Sequence, residues 1–581
     1  MSAPAPITDQ RNRAAPARRQ HTRKLPFDGL ISLTILLVAL FLIAPLAYTI
    51  MRTLSEAPAG WADLMKSLDS GILPRMLGNT LIVVMSSALL ATIMGAIFAV
   101  LHERTDGNLG SMGELLPLAP LIVPPIAGVI GWAILLDPNV GVLNMLLRKF
   151  MLIFGVELGT GPLDIYSRAG LIYVTALYLV PYVFLVVSAA LRNLDSSIEE
   201  ASRVSGAPPI RTLARITLPA IRPSLLAGFI LAVIAGIGLF SVPIVLGTAA
   251  RVEVVSVFIY RLLDQFPPKL ASGLMLSAGM VALVQILLVL QRWVSPIERG
   301  AMSGGRGGRS GRIRLGLLKR PAQILTGLYL MATSILPVAG LLVVSFQSFW
   351  TPIINPSQFS LANYRFVLFE NGPTSRAFTT SFTLGAATAT LAMLIAAIAI
   401  LGTRQRKGKS AGLSDFVMNL PATLPHTVIG IAFLISFTSP WINLYGTIAI
   451  LLMAYIAMAL PFAARAASSA ASGIGMDLAE ASRIAGASPA KTFARILFPL
   501  ALPGLLAGWI IVFIHTAGEV TASSLLAGAR NPVIGRIMTE LWVFGSFPQL
   551  AAMSIIVTLV TSLCVTLMLF ISRRSGQSGW T

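Results

Sequence analysis

The chain has 581 residues, of which 55% are hydrophobic and 11% charged, with a mean hydropathy of +0.81. Soluble globular domains carry about 25% charged residues, so this composition excludes a soluble protein and points to an integral membrane protein. The net charge of +20 would suggest a nucleic-acid partner in a soluble chain, but here the basic residues gather in the links between apolar stretches, which membrane orientation explains; no nucleic-acid partner is expected.

Residues 1–27 form a basic leader with Arg11, Arg13, Arg18, Arg19, Arg23 and Lys24. Its basic stretch is long and proline-rich and the apolar run after it is of full spanning length, so it does not read as a cleavable signal peptide. Because roughly 20 apolar residues cross the hydrocarbon core as a helix, spans are predicted near 28–51, 79–101, 114–136, 169–191, 224–247 and 270–291. From Arg292 to Arg320 the chain holds eight basic residues and seven glycines. A segment so poor in apolar residues cannot bury enough surface to fold alone, so 292–321 is expected to be a flexible linker. Six further spans are predicted near 322–346, 379–402, 414–437, 444–466, 503–527 and 549–572, with a short tail at 575–581.

The expected architecture is therefore all-α and polytopic, with about twelve transmembrane helices in two pseudo-symmetric six-helix halves, 28–291 and 322–574. Arg and Lys near span ends mark the cytoplasmic side. The leader, Arg192, Arg203, Arg211, Arg215 and Arg222, the loop with Arg404, Arg406, Lys407 and Lys409, and the terminal Arg573 and Arg574 then all lie inside. The loops at 52–78 and 137–168, with Glu56, Asp63, Asp69, Asp137, Glu157 and Asp164, lie outside. Both termini are expected in the cytoplasm, and the spans meet membrane lipid.

Two polar stretches 280 residues apart use almost the same letters, EASRVSGAPPIRTLARITLP at 200–219 and EASRIAGASPAKTFARILFP at 480–499, with twelve of twenty positions identical. Their residues favour a short helix, a bend at Gly206 or Gly486, and a second short helix that Pro219 or Pro499 ends. Glu200 with Arg203 and Glu480 with Arg483 stand at i,i+3 and can pair on one face. Val204, Ile210, Ile484 and Phe493 are expected to stay exposed between those charges. Such an element suits a groove on a partner protein or rests on lipid headgroups, and its duplication favours a symmetric, two-site partner. The halves also share proline breaks, Pro120, Pro124 and Gly128 against Pro421, Pro425 and Gly430. Proline inside a span is tolerated where protein or water satisfies the freed groups, so these helices either line a central passage or kink packed helices.

The pattern Glu-Ala-Ala/Ser, three residues, Gly, nine residues, Ile-x-Leu-Pro is similar to the signature loop of permeases in binding-protein-dependent ABC importers. The first copy matches at Glu200, Ala201, Ser202, Gly206, Ile216, Leu218 and Pro219; the second matches at Glu480, Ala481, Ser482, Gly486, Ile496 and Pro499, with Phe498 in place of Leu. The resemblance implies the type I importer permease fold and two permease domains fused in tandem in a bacterial inner membrane. It also implies two copies of a cytoplasmic ATP-binding subunit docked on the loops, with Glu200, Ala201, Arg203, Gly206, Glu480, Ala481, Arg483 and Gly486 as coupling residues, and a periplasmic or extracellular solute-binding protein. The fused layout and the stretches 240–277 and 518–555 look most like the iron(III) permeases, whose wider group also moves 2-aminoethylphosphonate, thiamine, polyamines or sulfate.

The chain is not expected to be an enzyme or to carry a cofactor or a metal. The GKS at Gly408–Ser410 follows Gly402 with five intervening residues instead of the four a phosphate-cradling loop needs. His21, His102, His426 and His515 are scattered, and the one cysteine, Cys564, lies in an apolar run, so neither a cysteine cluster nor an intrachain disulfide is available. Within the spans polar residues are expensive and therefore informative. His515 and Glu519, at i,i+4 on the predicted eleventh span, are candidates for the translocation pathway, with Glu519 alternatively a structural carboxyl between helices; His426, beside Pro425, is a third candidate. An ion-gradient-driven secondary transporter is the rival class, but it leaves the duplicated motif unexplained.

Overall fold

The computed structural model describes residues 26–110, 113, 123–194, 196–294, 312–404, 409–439 and 442–574. Helices α1 (Pro26–Asp69) and α2 (Ile72–Arg104) run antiparallel, and α3 (Pro125–Leu136) and α4 (Val142–Ile153) precede α5 (Arg168–Asn193). The first repeat forms α6 (Ser196–Val204) and α7 (Pro209–Ala220), from which α8 (Arg222–Gly238) departs at 65°. The first half ends with α9 (Val255–Asp264) and α10 (Leu270–Val294). The second half contains α11 (Gly316–Ser345), α12 (Gly372–Leu401), α13 (Ala411–Thr423), α14 (His426–Ser436) and α15 (Ile448–Ser472). Its repeat forms α16 (Met476–Ile484) and the start of α17 (Pro489–Ala517), followed by α18 (Thr521–Leu526), α19 (Ile534–Val543) and α20 (Phe547–Arg574).

Among the described residues nine helices are long and apolar enough to cross a membrane, and counting the bent pairs α7–α8 and α13–α14 as single spans gives eleven. The expected span at 114–136 is described only from residue 123, where α3 has 12 residues. Several boundaries differ from the sequence reading for identifiable reasons. The first span does not end near 51: α1 continues to Asp69, tied by an Arg52–Glu56 pair at 2.5 Å and by Ser272 Oγ donating to Asp63 Oδ2 at 3.4 Å. The ninth span bends by 98° at Pro425, because the residue before a proline is driven out of the helical region and Leu424 is extended. The fifth and eleventh spans stop early, at Gly238 and Ala517.

The two halves interlock through their first long helices. Helix α1 packs on α10 of its own half, where a Cβ on Gly60 would come within 2.8 Å of the Ala271 carbonyl oxygen, and also reaches the second half: Phe41 meets Phe433 at 5.6 Å, Ser436 Oγ donates to the Pro45 carbonyl at 3.2 Å, and Ile31 covers Gly402 so closely that an added Cβ would come within 2.8 Å. Helix α11 returns the exchange. Tyr329 Oη donates to the Leu177 carbonyl at 3.2 Å, and a Cβ on Gly131 would meet the Pro337 carbonyl oxygen at 2.4 Å. Each half thus seats its first long helix partly on the other.

The linker is also not free along its whole described length. Ile313 forms a parallel bridge with Thr105: its N–H donates to the Arg104 carbonyl at 2.9 Å and its carbonyl accepts from the Asp106 N–H at 3.1 Å. The Leu315 N–H donates to Asp106 Oδ1 at 2.9 Å, and Lys319 Nζ lies 3.7 Å from Asp106 Oδ2. Sequence composition missed this seat because backbone pairing needs no apolar pattern.

Candidate coupling site and translocation path

Both repeats close by the same backbone device. After α6, Gly206 takes φ +81° and the Ala207 N–H reaches the Ser202 carbonyl at 3.1 Å; after α16, Gly486 takes φ +82° and the Ala487 N–H reaches the Ser482 carbonyl at 3.0 Å. This i→i−5 closure around a left-handed residue satisfies helix-terminal carbonyls and calls for glycine. A Cβ at either glycine would meet nothing within 4 Å, so the backbone angle, not space, fixes the residue. A side-chain staple then locks the two short helices together: Ser202 Oγ lies 2.8 Å from Thr212 Oγ1, and Ser482 Oγ 2.9 Å from Thr492 Oγ1. Both threonines are buried. The staple was not foreseen from the sequence, although all four residues fall at positions identical between the repeats.

The outer face of each element is open. Glu200, Ala201 and Gly206, and Glu480, Ala481, Arg483 and Gly486, are exposed, and Val204 and Ile484 stand 90% and 88% exposed. Three local expectations are corrected. The second helix of the first repeat ends at Ala220, one residue past Pro219, as expected, but Pro499 does not end its counterpart, because a wider i→i+5 turn over 493–497 brings the chain to that proline, whose missing N–H then costs nothing. In the second repeat, α17 continues without interruption to Ala517. Arg483 Nε donates to the Ala479 carbonyl at 3.4 Å and does not form the i,i+3 pair with Glu480; the Arg203 side chain lies outside the described atoms. Phe493 is not exposed, since its ring packs on Phe27 of α1 at 5.2 Å.

Deep in the molecule the two halves meet at their breaks. A Cβ on Gly238, at the end of α8, would lie 3.9 Å from Pro425 Cα, and one on Gly518, just past α17, would lie 3.5 Å from Pro124 Cβ. These contacts are reciprocal: the end of each motif-linked helix abuts the proline break of the opposite half. The His515 ring packs against Phe462, tilted at 4.5 Å, and edge-on against His426 at 5.6 Å. The structure therefore brings His426 and His515 together. Tyr182, which corresponds to Phe462 at the 280-residue offset, is 46% exposed. The exposed Arg465 of α15 lies within electrostatic reach of its hydroxyl. Arg465 was overlooked in the sequence because it sits where the tenth span was expected to end.

Glu519 occupies a different setting from the one expected. The helix stops at Ala517, so Glu519 does not share a helical face with His515. Its carboxylate caps α18 instead, Oε1 accepting from the Ala522 N–H at 2.9 Å and Oε2 from the Ser523 N–H and Oγ, each at 2.9 Å. Only 8% of the residue is exposed. Carboxylates serve well at helix N-termini, where free N–H groups and the positive end of the dipole converge. Helix α19 crosses tightly over this break, with Gly535 against the Glu519 carbonyl.

Residues 91–299 and 389–578 each match the family described as binding-protein-dependent transport system inner membrane component. A probable ABC transporter permease of Sinorhizobium fredii is 27% identical over 70% of this chain and 72% of that protein. The ferric transport system permease FbpB of Actinobacillus pleuropneumoniae is 25% identical over 88% of this chain and 73% of its own length. A putative 2-aminoethylphosphonate transport system permease of Salmonella typhimurium is 26% identical over 42% of this chain and 90% of its own. Among solved structures, a bacterial ABC transporter that imports the acidic polysaccharide alginate aligns with 45% of this chain at 17% identity and a TM-score of 0.36, too slight a likeness to argue from. With the family matched twice, over most of an all-α polytopic chain, this protein belongs to the binding-protein-dependent transport system inner membrane components, the permeases of ABC importers.

Proposed function

We propose that this chain supplies both transmembrane domains of one importer, 28–291 and 322–574, in a bacterial inner membrane with both repeats and both termini in the cytoplasm. Two copies of an ATP-binding subunit dock on α6 and α16, and an external solute-binding protein delivers cargo to the opposite face. The observation that carries the docking reading is the duplicated closure and staple, which holds Val204, Ile210 and Ile484 out in water at two places. Exposed aliphatic side chains on a rigid short helix gain by burial in a partner groove. Co-expression with candidate ATPase subunits tests it: a complex carrying ATPase copies is expected, and a permease purified bare under those conditions counts against it.

For the cargo, the relatives named for ferric transport that align over 88% and 86% of the chain favour iron(III), because they share the fused layout. Cargo then passes between α5 and α15, past Tyr182, His426 and His515. Glu519, whose oxygens are engaged in capping α18, supports the wall of that path. One observation favours a phosphonate instead: the exposed Arg465 guanidinium within electrostatic reach of Tyr182 suits an anion. Identifying the ligand on the partner binding protein separates the two, ferric iron supporting the first and an alkylphosphonate the second.

A further inference from the structure

The two repeats are joined to the rest of the molecule in different ways. In the first, Glu199 of α6 and Arg104 at the end of α2 are both nearly fully buried, with Arg104 Nε 3.6 Å from Glu199 Oε1. Arg104 Nη2 also donates to the carbonyls of Leu191 at 2.8 Å and Leu194 at 3.1 Å, where α5 ends. Glu199 Oε1 accepts from Thr217 Oγ1 of α7 at 2.8 Å. One charged cluster thus clamps α2, α5, α6 and α7. A second pair reinforces the same junction: Arg192 Nε of α5 donates to Glu103 Oε1 of α2 at 2.8 Å. The Arg104 carbonyl in turn receives the Ile313 N–H of the docked linker.

At the 280-residue offset Glu199 and Thr217 correspond to Ala479 and Leu497, both buried and apolar, and Arg192 corresponds to Ser472, while Arg404 stands after α12 where Arg104 ends α2, its side chain outside the described atoms. The second half has instead what the first lacks, an unbroken helix from Pro489 to Ala517, where the first bends by 65° between α7 and α8. Resting on the docking reading above, we infer that Glu199 and Arg104 are positioning residues through which the first repeat moves α2 and α5, while the second repeat transmits along α17. The two ATPase sockets are mechanically unequal.

The physical basis is the contrast between the two seats. A buried ion pair is directional, and loss of one partner leaves an uncompensated charge, so α6 cannot shift without dragging Arg104 and, through its Nη2 bonds to the Leu191 and Leu194 carbonyls, the end of α5. The seat of Ala479 and Leu497 is apolar and non-directional, so α16 can slide while α17, continuous from Pro489 to Ala517, carries the displacement. A helix bent by 65° transmits an axial push poorly, which is why the first half needs another route.

Two measurements test this. In the reconstituted full transporter, Glu199→Gln is expected to lower cargo moved per ATP hydrolysed by about tenfold while the ATPase subunits stay bound, and Glu199→Asp, which keeps the charge, to restore most of it. A Glu199→Gln transporter with unchanged cargo per ATP overturns the inference. Backbone hydrogen exchange on the wild-type chain needs no variant and so covers a failure of assembly: amides of 197–204 are expected to exchange about tenfold slower than those of 477–484, since opening α6 breaks the clamp. Equal exchange overturns it. If the wild-type chain binds no ATPase subunit, the docking reading fails, yet the exchange comparison still decides the clamp.

Discussion

Replacing Gly486 isolates the backbone contribution to docking. Its φ of +82° lies in the left-handed region, and a Cβ there would touch nothing within 4 Å, so Gly486→Ala adds conformational strain without a clash. For an L-residue that strain is about 1–2 kcal/mol. Asn adopts the left-handed region more readily and should cost less. Pro, fixed near φ −65°, cannot adopt the angle at all. If α16 must hold this bend to enter its partner, a cost of about 1–2 kcal/mol lowers the affinity of that socket by about 5- to 30-fold. Titrating a purified ATPase subunit against the permease in lipid nanodiscs reads this directly. The order of affinity expected is Gly, then Asn, then Ala, then Pro, with cargo uptake following the same order. Identical affinities for the Ala and Asn variants, or a Pro variant that binds like the wild type, would refute the assigned role of the bend.

Three further outcomes follow from the geometry. Because Thr492 is fully buried, Ser482→Ala should cost about 1–3 kcal/mol in subunit binding by stranding its hydroxyl, whereas Ser482→Ala with Thr492→Val should cost less than the sum of the singles; a double-mutant cycle that is strictly additive contradicts the staple. Glu519→Gln keeps one acceptor oxygen but turns the other into an NH2 donor that faces a backbone N–H, so one of the Ala522 and Ser523 N–H bonds is lost and a lower unfolding temperature with unchanged cargo preference is expected; normal stability with altered cargo preference would place Glu519 in the path. Asp106 has its carboxyl held below the ordinary 3.8 by the Leu315 N–H and, less strongly, by Lys319. A lowered value means its contribution is present above the ordinary value and lost as pH falls through the folded one. The linker should therefore stay docked across about pH 5 to 8, and Asp106→Asn should release it at any pH, as limited proteolysis near residue 315 can show.

What was legible in the sequence was local or periodic. Hydropathy located the long helices because span length is a physical constant of the bilayer, and the bends at Gly206 and Gly486 were legible because few residues accept the left-handed region. Exposure of Val204, Ile210 and Ile484 followed from apolar residues set in a polar stretch. The rest depends on neighbours distant in the chain. Nothing near Glu199 announces Arg104, and hydropathy does not say that α1 rests on α14. Glu519 was misplaced because a sliding average smooths over Gly518, where the helix breaks. Proline punctuation misled at Pro499, where a wider turn absorbs the missing hydrogen bond.

The claim of two sockets on one chain is tested most directly by counting and locating its partners. In a Cys564→Ser background, which removes the one native cysteine, Val204→Cys and Ile484→Cys give single reporters at the two exposed tips. Native mass spectrometry of the co-purified complex should find two ATPase copies per permease chain, and each reporter should cross-link to one of them. A complex with a single ATPase copy, or cross-linking at only one tip, would contradict the account.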